Sequence, residues 1–530
     1  MLFGDFPVND DWIFVRQVKA FLQGNFRLHA MLDPSFVAQG LLGTLWAKVF
    51  GASFISLQIL TLLVTFIFVY GIYKVLRLLG ARKSVAVLTL ITVFFNPLIY
   101  TSAFSFMTEN YFLMFFIWTL YFYLKFFYTS RYYYVLLGSF FCALSLLTRH
   151  IGLVTFIGFA MAVVLGKKVS YSKARTILVA VAPVVVGVCV YMFWPKYGAH
   201  NLSTLFIDPE LILYRVKIVL LSLHYFPCFI MPLIIGVAVD YSRKTRVVLI
   251  AASLILAVFL FRMDIFPAGN ILYIESLHTK SDFRSNFSFF DNVLFKSILS
   301  ILISFTCIKF LHLVAGTLNR KKPNVVHIFL VLVFIGMFGT VFIGTDFYDR
   351  YLLPAFIPFL ALFVLVFIKK LSVSKKSVLC LILVAFISIA LQHEFMSTMG
   401  LKWKQAYALQ KDTGYLTQII VNDTYVNHVV SENENDYSGL IEMRASFDPK
   451  CYVQDYTLDS GAGWQIVSEG VDNFIQRHIK NPRIYGGRKK NSMPKAKNNL
   501  DILLYNERYF SLLYDLVGKE AYVGSWCIKD

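Results

Sequence analysis

Long apolar segments recur along the first 392 residues and constrain this chain more than any other feature. A helix needs about 20 predominantly apolar residues to cross a lipid bilayer. Segments of that kind repeat here, and 58% of the 530 residues are hydrophobic, with a mean hydropathy of +0.64. They predict a polytopic α-helical membrane protein with about 12 spans. The spans fall near residues 53–73, 84–105, 110–127, 132–148, 150–166, 176–194, 213–239, 247–262, 292–316, 326–344, 351–368 and 377–392.

The net charge of +19 predicts a membrane orientation and no nucleic-acid partner. Residues 393–530 contain 16 Lys and Arg against 17 Asp and Glu, so the whole excess lies among the apolar segments. There, alternate loops hold 21 bases and one acid, Asp240, and the other acids of residues 1–392 fall on the opposite side. Because cytoplasmic loops are enriched in Lys and Arg, the acidic side is predicted to be extracytoplasmic. The membrane would be the plasma or inner membrane of a bacterium, or the endoplasmic reticulum membrane of a eukaryote.

The composition changes after about Gln392. Residues 393–530 are polar and predict a small α+β extracytoplasmic domain, with a helix at 401–411, beside a membrane domain of residues 1–392. Cys451 and Cys527 are the two cysteines of this tail, and a disulfide between them requires that the tail be extracytoplasmic. The other five cysteines lie in apolar segments, and no cysteine spacing indicates zinc.

An acidic pair, Asp10 and Asp11, stands in the first outer segment, residues 1–52, just before an amphipathic run that stops at Gly24. Two interpretations stay open. One of the two acids caps the helix that follows, since Asp is a favoured N-cap, or one of them is a general base whose pKa is raised by partial burial and by its neighbour. The second half of the segment predicts a helix lying on the membrane surface. Its apolar stripe would consist of Phe36, Val37, Leu41, Leu45 and Val49.

Three outer turns carry further ionisable residues, which are costly beside a membrane and are therefore candidate functional groups. Each charge also has an interpretation without function. Glu109 would stabilise the first turn of a helix through the helix dipole, and Arg149 would extend its side chain to the membrane surface. Arg350 would form a local ion pair with Asp349. An arginine can instead grip a phosphate with two hydrogen bonds. Outward carboxylates and arginines together predict glycosyl transfer from a lipid-phosphate sugar. The candidates are Glu109, Asn110, Arg149, His150, Asp349, Arg350 and Tyr351.

The order of these motifs resembles the GT-C superfamily of polyprenol-phosphate-sugar-dependent glycosyltransferases, in its protein O-mannosyltransferase-like and lipid A aminoarabinose transferase-like branch. Asp10-Asp11-Trp12-Ile13-Phe14 matches the D-[DE]-x-x-[FY] pattern of that branch's first outer loop. The turn at 107–110, the span end at 147–149 and the motif at 350–354 also resemble family patterns. The resemblance covers residues 1 to about 392. Because the family has a span before this loop, a longer form would have 13 spans.

The resemblance implies that Asp10 is the catalytic carboxylate, with Asp11 beside it, and that the residues of the other outer turns bind substrate. It implies as partners a polyprenyl-phosphate-sugar donor carrying a hexose or pentose, and a glycan, lipid or protein acceptor, besides the membrane lipids. The resemblance implies no particular cofactor. Use of a divalent cation stays open, with Asp10 and Glu109 as candidate ligands.

Two other classes of function stay open. A transporter or flippase of a lipid-linked or anionic substrate would place ionisable residues near mid-span, or would break its helices at matching places in two halves. In this chain the charges cluster at one face, and no halves repeat. A non-catalytic assembly subunit is the second alternative.

Overall fold

The structure is a computed structural model that describes residues 4–8, 10–29, 32–166, 171–196, 224–239, 241–263, 293–315, 324–341 and 349–413, and four strands between 419 and 527. Two 3-10 turns, His150–Gly152 and Asp349–Leu352, directly precede the helices that begin at Leu153 and Leu353. The helices are α1 (Asp11–Leu22), α2 (Ala38–Phe50), α3 (Phe54–Leu78), α4 (Lys83–Phe94), α5 (Pro97–Ser102), α6 (Thr108–Thr129), α7 (Tyr132–Leu146), α8 (Leu153–Leu165), α9 (Lys173–Phe193), α10 (Tyr225–Phe229), α11 (Met231–Gly236), α12 (Arg243–Met263), α13 (Val293–Ala315), α14 (Val325–Thr340), α15 (Leu353–Phe367) and α16 (Lys375–Thr413).

Within these ranges, seven helices are long and apolar enough to cross a membrane: α3, α6, α9, α12, α13, α15 with its preceding turn, and α16. Helices α4, α7, α8 and α14 are apolar but shorter. By the length and composition of its helices the chain is an integral membrane protein. The number of 12 spans and the sidedness stay predictions, and residues 213–223 of the predicted span at 213–239 lie outside the described residues.

The segment predicted as one span at 84–105 is broken in two. Helix α4 ends at Phe94 and α5 begins at Pro97. A residue before proline is disfavoured in helical conformation, and the Asn96 side chain accepts a hydrogen bond from the Leu98 N–H at 3.0 Å, which caps α5. The break turns the chain before α6 begins at Thr108.

Helix α16 runs without interruption through the predicted domain boundary at 392. Its 39 residues span roughly 58 Å at 1.5 Å per residue, well beyond the roughly 30 Å of a bilayer core. The sequence predicted a span that ends at 392 and a separate helix at 401–411. The two are one helix because residues 393–400 contain no proline and bury Phe395, Met396 and Met399.

A four-stranded sheet contacts α16. Its strands are β1 (Ile419–Ile420), β2 (Cys451–Asp459), β3 (Tyr505–Tyr509) and β4 (Lys519–Cys527), in the order β1-β2-β4-β3. Strand β1 pairs in parallel with β2, and the other two pairings are antiparallel. A separate α+β domain over residues 393–530 stays a prediction, since much of that range lies outside the described residues.

The helix-cap interpretation of the acidic pair is wrong for the residues described. Asp10 precedes α1 without a side-chain capping hydrogen bond. Asp11 is fully buried, and its Oδ1 accepts a hydrogen bond from the Val8 N–H at 2.8 Å, before the helix begins. The carboxylate of Asp11 therefore holds the N-terminal stretch against the helix, and α1 starts without an aspartate cap.

The apolar stripe predicted for the helix in the second half of residues 1–52 is divided between buried and exposed positions. Phe36 and Val37 precede α2 and are buried, whereas Leu45 and Val49 are 63% and 74% exposed. The buried face of α2 consists mainly of small residues, which let it approach α1 and the α5–α6 connection closely. At Gly43 a Cβ would lie 2.8 Å from the Phe106 ring and 3.0 Å from Val18, so a larger residue there would push α2 away.

Candidate active site

A pocket of about 390 Å³ lies at the end of the helical bundle where α6 and α15 begin. Its wall combines five separate stretches: the start of α1, the turn before α2, the start of α6, the turn after α7 and the 3-10 turn before α15. Five of the nine residues predicted for the site lie in this wall. The lining residues are Asp10, Trp12, Ile13, Phe14, Asp33, Phe36, Met107, Thr108, Glu109, Thr148, Arg149, Arg350 and Tyr351.

Glu109 is the most enclosed acid of the pocket, with a side chain only 2% exposed. It lies in the first turn of α6, where the helix dipole favours a negative charge. Arg149 Nη2 and Arg350 Nε each lie 3.5 Å from its Oε1. Arg350 Nη2 also lies 3.7 Å from Asp10 Oδ2. The Arg350 guanidinium thus lies between the carboxylates of Asp10 and Glu109, and both arginines converge on one buried oxygen.

The Asp10 side chain is open to the pocket, with 54% of its surface exposed, and its carboxyl lies among the other lining residues, away from bulk water. This burial has the largest influence on the carboxyl and raises its pKa above the ordinary 3.8, although the nearby Arg350 charge partly offsets the effect. Glu109 raises the pKa further. A carboxylate with a raised pKa is a stronger base than an exposed aspartate, which suits it to accept a proton.

The ring of Tyr351 lies beside both arginines. Its centroid is 5.5 Å from Arg149 Cζ and 5.9 Å from Arg350 Cζ, within the range of cation–π attraction. The guanidinium groups are therefore held by a ring as well as by Glu109, and neither has the freedom of an arginine that reaches alone toward the membrane surface.

Asp33 is a pocket residue that the sequence argument missed. Its Oδ1 accepts hydrogen bonds from the Ser35 N–H (2.8 Å) and from the Ser35 hydroxyl. His150 Nδ1 lies 3.3 Å from its Oδ2 at the pocket rim. Burial disfavours the ionised form, but the contacts with His150 and Ser35 outweigh it and lower the pKa of Asp33 to about 2. The available signal was Asp33-Pro34-Ser35, a typical turn sequence in which the Asp side chain bonds the backbone two residues on.

The turn that carries Arg149 is fixed by the N-terminus of α2. The backbone N–H groups of Val37 and Ala38 donate to the Leu147 carbonyl at 3.0 and 2.9 Å. Free N–H groups at a helix start and free carbonyls at a helix end each need a partner, and here they satisfy one another. Ser35 Oγ is also 3.2 Å from the Thr148 carbonyl. Residues 35–38 therefore fix the position of the turn that carries Arg149, which is more than 100 residues further along the chain.

Four of the predicted site residues lie outside the pocket lining. Asp11, Asn110 and Asp349 are fully buried. Asn110 Nδ2 donates to Thr65 Oγ1 at 2.9 Å and holds α6 against α3, and Asp349 Oδ1 accepts from the backbone N–H of Arg350 at 2.8 Å. His150 lies at the rim, paired with Asp33. These residues support the walls, whereas Asp10, Glu109, Arg149, Arg350 and Tyr351 face the pocket.

The two acids predicted as candidate cation ligands are both paired with an arginine in the structure. The candidate ligands Asp10 and Glu109 both lie within ion-pair distance of the Arg350 guanidinium, which occupies the place of a cation between them. Over the described ranges, no group of three His, Cys, Asp or Glu residues is arranged to hold a metal ion. A cation at this place would have to displace Arg350 and would leave that charge buried.

Neither family models nor curated protein sequences match the chain, but solved structures do. The Archaeoglobus fulgidus oligosaccharyltransferase in complex with Zn and sulfate has 14% identity and a TM-score of 0.45, over 86% of this chain and 65% of that chain. The same organism's AglB with an inhibitory peptide and a dolichol-phosphate has 12% identity and a TM-score of 0.40, over 86% and 66%. ArnT from Cupriavidus metallidurans in the apo state has 11% identity and a TM-score of 0.38, over 85% and 89%.

This chain spans about two thirds of the length of the oligosaccharyltransferase chains. These structural neighbours are members of the GT-C superfamily, which the sequence motifs also resemble. Because the TM-scores lie below 0.5 and the identities below 25%, the function of this chain is inferred from its own residues.

Proposed function

We propose that this protein is an integral membrane glycosyltransferase that moves a hexose or pentose from a polyprenyl-phosphate-linked donor to an acceptor at the extracytoplasmic face. One observation carries the proposal. A pocket at the end of an apolar helical bundle combines a carboxylate of raised pKa with two arginines that converge on a buried acid. Such a site suits a substrate that has an apolar tail, an anionic link and a polar head.

Arg149 and Arg350 would receive the phosphate of the donor. Their guanidinium groups lie 3.5 Å from the same Glu109 oxygen, so a phosphate in the pocket meets both of them at once. Guanidinium groups match phosphate geometry with paired hydrogen bonds, which strengthen as negative charge builds up on the leaving phosphate. Tyr351 and Glu109 would hold the two groups in place before the donor arrives.

Asp10 would act as the general base toward the acceptor. In the transfer step, the acceptor oxygen or nitrogen forms a bond to the anomeric carbon of the sugar while the bond from that carbon to the phosphate oxygen breaks. The acceptor proton passes to the Asp10 carboxylate, and the electron pair leaves with the lipid phosphate, held by the arginines. Asp33, with its lowered pKa, stays ionised and is less suited to accept this proton.

Arg350 links the two substrates. In the pocket as described, its guanidinium is shared between Asp10 and Glu109. A donor phosphate competes with Asp10 for this charge, and weakening that ion pair makes the Asp10 carboxylate a stronger base. Donor binding would therefore prepare the base for the acceptor, and the donor is expected to bind first.

The function is tested with the purified full chain in detergent and a panel of labelled polyprenyl-phosphate sugars. Mass spectrometry of co-purifying lipid directs the choice of donor and acceptor. We expect release of polyprenyl phosphate together with a glycosylated acceptor, and product formation about 10²–10⁴-fold slower with the Asp10→Asn variant. A transporter needs two compartments and gives no new covalent product in detergent. Movement of donor across vesicle membranes without product would replace this proposal.

Chelation is expected to leave transfer unchanged, because the Arg350 guanidinium already provides positive charge between Asp10 and Glu109. The measurement compares initial rates with and without an excess of EDTA, followed by addition of Mg²⁺, Mn²⁺ or Zn²⁺. A rate that falls with EDTA and recovers with one metal would assign a cation to the site and a different role to Arg350.

A further inference from the structure

The register of strands β2 and β4 places the two cysteines of the C-terminal tail directly opposite one another. The strands are antiparallel, and their pairing runs from Asp459 opposite Lys519 to Cys451 opposite Cys527. Cys451 is the first residue of β2 and Cys527 the last of β4, so the pair closes one end of the ladder. Along the chain these two positions are separated by residues 452–526.

Backbone geometry at such a pair meets the requirement of a disulfide. Residues directly opposite in an antiparallel ladder have Cα atoms roughly 4.5 or 5.5 Å apart, depending on whether the pair is hydrogen-bonded. Disulfides join residues whose Cα atoms are about 4.4–6.8 Å apart. Both kinds of opposed pair fall within that window, so the register alone brings Cys451 and Cys527 within bridging range.

The distribution of cysteines supports the pairing. The chain has seven cysteines, and five of them, in or beside the apolar helices, are free thiols: Cys142, Cys189, Cys228, Cys307 and Cys380. The remaining two occur in the tail, and the register brings them together across 75 intervening residues of chain. A chance alignment of two such distant cysteines is uncommon, because a shift of one residue in register would separate them.

We propose that Cys451 and Cys527 form a disulfide bond that fastens β2 to β4. The two thiols give up two protons and two electrons to a thiol–disulfide oxidant, whose own disulfide is reduced to a dithiol, and one S–S bond forms. Such oxidants act in extracytoplasmic compartments, in agreement with the predicted orientation of the tail. The bond would close residues 452–526 into a covalent loop and so restrict the unfolded chain. It does not depend on the proposed glycosyl transfer.

The bond is tested on the full chain in its native membrane. Free thiols are blocked with N-ethylmaleimide during lysis in SDS, and the protein is then reduced and labelled with a maleimide-polyethylene glycol. We expect the wild type to gain two labels after reduction, and the Cys451→Ser and Cys527→Ser variants to gain none. A peptide joined through these two cysteines should appear in the unreduced digest by mass spectrometry. A wild type that gains no label would overturn the proposal.

A register-shifted variant separates geometry from compartment. In Cys451→Ser combined with Val453→Cys, the new cysteine is diagonal to Cys527, at a Cα separation of roughly 7–8 Å, beyond the range of a disulfide. With an added oxidant, the reduced wild-type protein in detergent should bond completely and the shifted variant should stay largely free. Equal bonding of both would show that the strands do not hold the register described, and would also overturn the proposal.

Discussion

Replacing Asp10 with Asn is expected to give a folded, donor-binding protein whose transfer rate is about 10²–10⁴-fold lower, the usual cost of losing a positioned base. Asn keeps the size of the side chain and removes the basic oxygen. The ionised form of Asp10 is the active one, so the wild-type kcat/KM should rise with pH through a limb above 3.8, because burial raises the pKa of this carboxyl. That limb should vanish in the variant. Initial rates across pH, with donor binding measured separately, provide the comparison.

Asp11→Asn is the matched control. Asp11 is adjacent in sequence but buried outside the pocket, and its Oδ1 accepts from Val8, a role that the amide oxygen of Asn retains. Its transfer rate should stay close to wild type. If Asp10→Asn also transfers sugar at the wild-type rate, Asp10 is not the base. If Asp11→Asn alone abolishes transfer in a folded protein, the roles of the two aspartates are reversed.

Arg350→Lys is expected to weaken donor binding by roughly 10- to 100-fold, since a hydrogen bond to a charged group contributes about 1.5–3 kcal/mol and Lys cannot reproduce the paired geometry. Arg350 is 9% exposed and has two carboxylates to satisfy, so the shorter reach of an ammonium leaves one of them without its partner. Titration of donor, or of polyprenyl phosphate alone, against the purified variant measures the loss.

Arg149→Lys tests in the same way the second arginine that is proposed to bind the donor phosphate. Arg149 is 21% exposed and pairs with Glu109 alone among the ion pairs described, so we expect a smaller loss than at Arg350. Thermal unfolding in detergent controls for a fold defect in each variant. Wild-type donor affinity in both variants would mean that the two arginines serve only to neutralise the charge of Glu109. The proposed binding of the donor phosphate by these arginines would then be wrong.

The positions of the helices could largely be predicted from hydropathy. A helix that crosses a bilayer needs a long apolar stretch, and such a stretch is visible in the sequence itself. The exceptions have causes that hydropathy does not register. Asn96-Pro97 breaks a span through backbone sterics and a side-chain cap. The apolar residues Phe395, Met396 and Met399 carry α16 past the end of its most hydrophobic stretch by packing against other elements.

The candidate site, too, could be predicted in part from local sequence and depended in part on tertiary packing. Short motifs in the outer turns nominated Asp10, Glu109, Arg149 and Arg350, and these four residues lie in one pocket, although their roles remain predictions. Motifs and charge pattern predicted that they lie on one side of the membrane. Their distances, and the position of Arg350 between two acids, arise from the packing of α1, α6 and the turn before α15.

Two outcomes depended on tertiary structure alone. Asp10 and Asp11 are equivalent by composition, yet one opens to the pocket and the other is buried, because the start of α1 turns adjacent side chains in different directions. Asp33 forms a local turn with Ser35, but its contact with His150, 117 residues away in the chain, exists only in the folded protein. A local pattern determines which segments are apolar and which turns carry charge. Which charges meet depends on long-range contacts, which a single sequence does not encode in any local window.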